Sequence, residues 1–275
     1  MATDTASAMP DAWQNWAAKR LPDWAGKRLP ANAVTRHPER ISGFRGPMVT
    51  DTSDTSADST RQQILRAACH QFAHRSYSQV SLDDILADAR VTKGAMYFHF
   101  RSKHALALAI IEQQSQVTRY AVNDLLARKL SGLESLVDIS YLIALQDVTQ
   151  ELSRAGLHLL ESIGRTDGLR ANLLRDWVKV FAVVVQRAIA DGDVLDQCNP
   201  MDVSQMLLSL YAGIRQIGNL DEPDEYFDDL EKSWLLALPG FAAAERIGYL
   251  TKFIKRRTVL AKARAKAAAV NVNPA

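Results

Sequence analysis

The chain has 275 residues, 47% of them apolar and 23% charged, with a formal net charge of +2 and two cysteines. This is the ordinary balance of a soluble globular protein, long enough for one large domain or two modest ones with a real core. No run of 18 apolar residues occurs, which excludes a membrane-spanning helix, and the N-terminus lacks the apolar stretch of a secretory signal. The expected compartment is cytoplasmic, with no membrane partner and with Cys69 and Cys198 as free thiols.

Residues 1–58 hold five of the nine prolines and no sustained helical stripe. They contain a short repeat, WAAKRLP at 16–22 and WAGKRLP at 24–30, and end in the polar run TDTSDTSADST, 50–60. This composition predicts a disordered N-terminal extension: a binding arm, or an upstream extension of the reading frame with Met48 as the true start. Residues 1–47 carry seven Lys/Arg against four Asp/Glu, and residues 246–275 carry eight Lys/Arg and no acid. The stretch DEPDEYFDDLE, 221–231, carries seven acids. Basic ends on a near-neutral body suit polyanion contact, and they equally suit solvated tails.

From Thr60 onwards the chain reads as helices. In TRQQILRAACHQFAHR, Ile64, Leu65, Ala68 and Phe72 fall on one face, with Thr60 as the expected N-cap. SLDDILADA follows, capped by Ser81, with Asp83 and Asp84 where the helix dipole favours negative charge. Thr92 caps a third short helix, and Ser102 caps a fourth from Lys103 to about Arg128. Further apolar helical stretches run at 133–163, 169–191, 201–218, 223–238 and 242–267. No strand pattern of useful length appears. The expected fold is all-α: an N-terminal three-helix helix-turn-helix domain over 59–105, a helical ligand-binding and dimerisation bundle over 106–250, and a basic C-terminal helix or tail over 251–275.

Two short helices joined by a tight turn make a helix-turn-helix, here SLDDILADA, RVT and KGAMYFHF. The second helix of such a unit enters the DNA major groove by its N-terminal end. Side chains there must be small or polar so that the backbone can approach the bases, and Thr92, Lys93, Gly94 and Ala95 meet that demand. Gly94 weakens a helix by roughly 1 kcal/mol relative to Ala, so its presence needs a reason, and close approach to DNA is one. Lys93, Tyr97, His99 and Lys103 can meet phosphates, while Met96, Phe98 and Phe100 supply the apolar anchors. With the cap hydroxyls, the candidate DNA-binding set is Thr60, Ser81, Thr92, Lys93, Gly94, Ala95, Tyr97, His99 and Lys103. A plain core helix would explain Phe98 and Phe100 but not Lys93 and Gly94 at its start.

These residues, ILRAACHQFAHRSYSQVSLDDILADARVTKGAMYFHFRSKHALALAII at 64–111, resemble the DNA-binding domain of the TetR family of bacterial repressors. The family usually has glycine after its first helix and in the recognition turn, where this sequence has Ser76 and Arg90. Non-glycine residues can adopt the left-handed conformation there at a cost of about 1 kcal/mol each. The resemblance implies a palindromic double-stranded operator and a homodimer, since one half-site reader has too little surface for tight specific binding.

The remaining residues then supply the dimer interface and a pocket. Trp177 and Phe181 stand one turn apart in RDWVKVFAVVVQRAIADGDV, and Tyr141, Tyr211 and Trp234 lie in other apolar helices. A pocket walled by aromatics suits a small hydrophobic effector, although each aromatic alone is as readily ordinary core. The pieces LESLVDISYLIAL, LSRAGLHLLES, RDWVKVF and WLLALPGFA resemble the ligand domain of the γ-butyrolactone receptor subgroup of actinobacteria. That resemblance implies a lactone contact for Trp177; the candidate ligand set is Trp177, Phe181, Tyr141 and Tyr211.

No nucleophile elbow, phosphate loop or zinc-protease motif is present, so no catalytic residue and no cofactor are expected. His158 and Glu161 share a helix face but lack a second such pair, so no metal site is expected either. The competing functions are a ligand-independent DNA binder using its basic tails, and a helical-bundle enzyme.

Overall fold

A computed structural model describes residues 52–165 and 168–272. The tryptophan repeat and Met48 lie outside the described residues. Among the described residues ten α-helices follow in order: α1 Thr52–His74, α2 Leu82–Ala89, α3 Lys93–His99, α4 Lys103–Leu126, α5 Gly132–Thr149, α6 Glu151–Ser162, α7 Leu169–Ala190, α8 Pro200–Ile217, α9 Pro223–Ala237 and α10 Ala244–Val272. A 3-10 turn, Leu238–Gly240, joins the last two. No strand forms among the described residues, and an isolated antiparallel bridge pairs Val194 with Ala242. The all-α expectation is met, and none of the described helices is long and apolar enough to cross a membrane.

Two boundaries differ from expectation. Helix α1 begins at Thr52, so Thr60 lies inside it and caps nothing, and the last residues of the stretch read as disordered are helical. The run expected over 133–163 breaks at Gln150, whose extended backbone (φ −122°, ψ 119°) ends α5 and starts α6 with no glycine or proline to announce it. The final helix, expected over 242–267, runs unbroken from Ala244 to Val272.

The apolar residues gather into two cores. The smaller is built by Ile64 and Phe72 of α1, Ile85 of α2, Met96 and Phe100 around α3, and Leu106 and Ile110 of α4. Ala155, Leu159 and Ile163, on and just after α6, complete it. The larger joins α5, α7, α8, α9 and α10 around Leu133, Val137, Val184, Phe227, Trp234 and Ile254. Helix α4 runs through both cores, giving Val122 and Leu125 to the larger, while α6 forms a seam with α1, where the His158 Nδ1 lies 3.1 Å from the carbonyl oxygen of Phe72.

The acidic and basic runs, distant in sequence, are partners in space. Lys262 pairs with Asp228 at 2.6 Å and Lys266 with Asp224 at 3.0 Å, laying α10 along α9. Arg257 reaches Asp138 at 2.7 Å, and Arg246 reaches Asp193 at 2.6 Å. Part of the basic C-terminal segment is therefore neutralised within the chain.

Candidate DNA interface and effector cavity

Local capping shapes the reading unit. The Ser81 hydroxyl accepts from the Asp84 N–H at 3.0 Å, and the Asp84 carboxylate accepts from the Ser81 N–H at 2.8 Å, a closed capping box at the start of α2. These bonds to Ser81, backbone first, hold the Asp84 carboxyl below its usual range. At the other end Arg90 takes the left-handed conformation, φ 53°. Its N–H meets the carbonyl of Ala87 and the Val91 N–H meets that of Leu86, each at 3.3 Å, the paired bonds of a Schellman stop. Among the described residues Arg90 is the one non-glycine with positive φ, so Ser76, expected to share that strain, does not. Thr92 then caps α3 by accepting from the Ala95 N–H at 3.2 Å, and Ser102 caps α4 by accepting from the Ala105 N–H at 3.0 Å.

Helix α3 stands on Met96 and Phe100, both buried. Phe98, expected as a third anchor, is 80% exposed and Tyr97 is 47% exposed. Two residues on, a side chain stands about 200° round a helix, so Phe98 cannot share a face with Met96, and the core takes Met96 and Phe100, four apart. Thr92, Lys93 and Gly94 are exposed and Ala95 is partly so. Lys93 lies 3.7 Å from the carboxylate of Asp83, an exposed pair worth little, so its charge remains available. His99 is half-buried, edge-on to Phe98 with ring centroids 5.0 Å apart. Thr60 is half-buried in α1, next to Arg61, whose guanidinium lies 5.3 Å from the Phe100 ring centroid.

Lys103 departs from its expected role. Its ammonium donates to the carbonyls of Tyr77 and Val80, each at 2.9 Å, and sits 4.2 Å from the Tyr77 ring centroid. It binds the loop after α1 to the start of α4 and is a structural cation, not a ready phosphate partner. Arg101 is an exposed residue of this face to which the sequence reading gave no role; Phe98, read as an anchor, and Arg90, read as a turn residue, are exposed beside it. Phe98 had a readable clue: two residues from Met96, it falls on the opposite face of a helix.

Gly94 has no packing reason to be glycine. A Cβ there would meet Thr92 Oγ1 at 3.9 Å and nothing nearer. Gly94→Ala is therefore expected to raise stability by up to about 1 kcal/mol in chemical denaturation while weakening binding to the best genomic DNA fragment by about ten-fold. A variant that gains stability and loses no DNA affinity would remove Gly94 from the interface.

Behind this head a cavity of about 100 Å³ opens between α4, α5, α7, α8 and α9. Trp177 and Phe181 wall one side, their ring centroids 5.6 Å apart at 66°. Tyr211 and Trp234 wall another. Tyr141, a candidate for the same wall, is not there. It lies in the core, stacked on Phe227 and within 2.7 Å of the Thr258 hydroxyl, between α5 and α10.

The polar lining was not expected. Gln114 donates to the Thr118 hydroxyl at 3.0 Å, which donates in turn to Gln146 at 3.1 Å. The Trp234 indole N–H donates to Ser140 at 2.8 Å. Arg215 also lines the cavity and pairs with Asp147 at 2.7 Å. Asp147 is fully buried and further accepts from the Tyr211 hydroxyl at 3.1 Å and the Ser153 hydroxyl at 2.7 Å. Burial first, and the Asp147 charge after it, push the Tyr211 phenol well above its usual value, so it stays a donor. Gln114 and Thr118, four apart in α4, were the available clue to a polar edge on an apolar groove. Cys69 is buried, and burial foremost, with the Glu151 charge, pushes its thiol up to about 12, so it offers no thiolate at neutral pH.

A short helix held outward by its caps, with small residues and a lysine at its leading end, defines a helix-turn-helix DNA-binding regulator. Residues 64–110 match the sequence model of the bacterial regulatory proteins of the tetR family. The A-factor receptor protein of Streptomyces griseus is 29% identical over 209 residues, which cover 76% of this chain and 72% of that one. A structure of the TetR family protein CprB from Streptomyces coelicolor, in complex with its biological operator sequence, is 31% identical. The match covers 73% of this chain and 96% of that one, with a TM-score of 0.62. A structure of a gamma-butyrolactone receptor, an ArpA-like protein, is 29% identical over 74% of this chain and 98% of that one, with a TM-score of 0.63. The chain belongs to the TetR family of transcriptional regulators and resembles its γ-butyrolactone receptor subgroup. Its relatives include a receptor protein and HTH-type transcriptional regulators, and the CprB structure holds an operator sequence.

Proposed function

We propose that this regulator is a dimeric repressor that leaves a palindromic operator when a small hydrophobic molecule, γ-butyrolactone-like or antibiotic-like, enters the cavity behind Trp177. In this reading residues 59–105 read DNA, 106–250 bind effector and pair with a second copy, and 251–275 extend the bundle. Thr92, Lys93, Gly94, Ala95, Tyr97 and His99 form the interface, with Thr60 and Ser81 at its margin. The observation that carries the proposal is the pairing of an aromatic wall with a hydrogen-bonding edge, Gln114, Thr118 and Arg215, in one cavity. An apolar tail and one polar head would find both.

The route from cavity to DNA is contiguous. Gln114 lines the cavity and packs against α6 where Gly156 leaves room: a Cβ there would fall 2.9 Å from the Gln114 side chain. Helix α6 is built into the core of the reading head. The cavity, about 100 Å³, is smaller than the roughly 300–1,000 Å³ of most small-molecule sites, so an effector must move its walls. A bound state with α4 and α6 displaced is preferred by effector and unsuited to DNA, and a coupling of about 1–3 kcal/mol releases the operator roughly 5- to 150-fold.

Selection of bound fragments from genomic DNA, with and without culture extract, tests the reading. Recovery of a palindromic site lost on adding extract is expected; recovery indifferent to every extract counts against an effector. Trp177→Ala should raise the effector concentration for half-release by about ten-fold or more and leave effector-free operator affinity unchanged, measured by fluorescence anisotropy. Equal response in parent and variant would take Trp177 out of the site. The ligand-independent alternative is disfavoured by the Lys262–Asp228 and Lys266–Asp224 pairs, which occupy part of the basic segment it needs.

A further inference from the structure

The seam between α1 and α6 carries a cluster that neither DNA reading nor the cavity uses. His70 and His74 are four residues apart in α1, so their imidazoles share one face. Glu151, the first residue of α6, meets them from the other side of the seam. His70 Nδ1 lies 3.0 Å from Glu151 Oε1, and the two imidazole centroids are 4.9 Å apart. One ligand atom from each of the three residues lies within 4.8 Å of the others, and all three residues are exposed. The sequence reading expected no metal site because it weighed the His158 and Glu161 pair, which lacks a second such pair, and not these three residues.

The tautomer of His74 is assigned by its partner. A carbonyl only accepts, so His74 Nδ1 carries the proton that it donates to the His70 carbonyl at 2.8 Å. In the neutral imidazole Nε2 then keeps its lone pair, the arrangement in which metal-binding imidazoles are oriented by a backbone oxygen. An ordinary histidine–glutamate ion pair accounts for His70 and Glu151 but makes no use of this third donor. Two imidazoles and one carboxylate are the donor set that Zn²⁺ and its first-row neighbours favour. Zinc bonds of roughly 2.0–2.2 Å set tetrahedral donors about 3.3 Å apart, which exposed side chains reach from the observed spacing by rotation.

We propose that His70, His74 and Glu151 form a binding site for a transition-metal ion of the zinc class that clamps α1 to α6, with the remaining coordination left to water. The ion joins a helix of the reading head to the helix that leans on Gln114. Its bearing on operator release rests on the function proposed above, whereas metal binding itself does not and is measured without DNA or effector.

Full-length protein made without a polyhistidine tag and stripped with chelator is titrated with Zn²⁺ by calorimetry. One Zn²⁺ per chain is expected. Glu151→Gln should weaken binding by about ten-fold or more, and His70→Ala/His74→Ala should abolish it. The substituted positions are exposed, and unchanged circular dichroism of both variants verifies that they fold. Amide exchange at the start of α6 should slow with zinc in the parent and not in the double variant. Equal zinc affinity in parent and double variant, or no binding by the parent at micromolar protein, overturns the site; binding without slowed exchange overturns the clamp. Loss of effector response with zinc binding intact counts against the function reading alone.

Discussion

Asp147→Ala is expected to destabilise the protein by about 3–5 kcal/mol, the cost of stripping one partner from a buried ion pair. Asp147 has no exposed surface, and Arg215, Tyr211 and Ser153 all direct their hydrogens at it. With the carboxylate gone, a largely buried guanidinium and two hydroxyls lose their acceptor at once. A protein of this size should lose about 10 °C or more in melting temperature. The double substitution Asp147→Leu/Arg215→Met should recover most of that loss, because it leaves no charge behind and fills similar volume. Urea midpoints for parent, single and double variants decide the matter. A single variant within about 1 kcal/mol of the parent would mean that water reaches Arg215, and that the cavity edge is wetter than its packing indicates.

Lys93→Ala/Tyr97→Ala is expected to weaken operator binding by on the order of 10²- to 10³-fold, with melting temperature unchanged. Both side chains are exposed at the front of α3, and neither belongs to the core that positions it. Each contact is worth about 1 kcal/mol, and in a two-fold dimer each substitution is present twice. The dependence of affinity on salt should flatten as well, by about one counterion for each lysine lost. Anisotropy titrations at several salt concentrations measure both effects. If the variant gripped its best fragment as firmly as the parent, α3 would not be the reading helix. A folded variant that loses affinity at unchanged salt slope would assign the effect to Tyr97 and to non-ionic contacts.

What was readable from the sequence was local. Ser81, Thr92 and Ser102 cap their helices as expected, because a cap needs only a hydroxyl and an N–H a few residues away. Arg90 was placed correctly in a left-handed turn for the same reason. The misjudged residues depend on distant partners. Lys103 answers to carbonyls 26 and 23 residues before it, and Tyr141 to a threonine 117 residues later. The α5–α6 break at Gln150 has no local cause in composition; α6 turns there to follow α1. Trp177, Phe181 and Tyr211 do line one cavity, since aromatics on apolar helix faces must meet somewhere inside. Its polar edge was hidden because Gln114, Thr118 and Arg215 sit on three separate turns of two helices.

The shared core of α1, α4 and α6 has an evolutionary and practical corollary. A head excised at residue 105 would lose Leu106, Ile110, Leu159 and Ile163 from the core they share with Ile64 and Phe72. The DNA reader is therefore not a portable cassette. Hybrids that splice it onto a related sensor will fold well only if they import a matching face of α6, and natural shuffling of operator specificity among such regulators should respect the same suture.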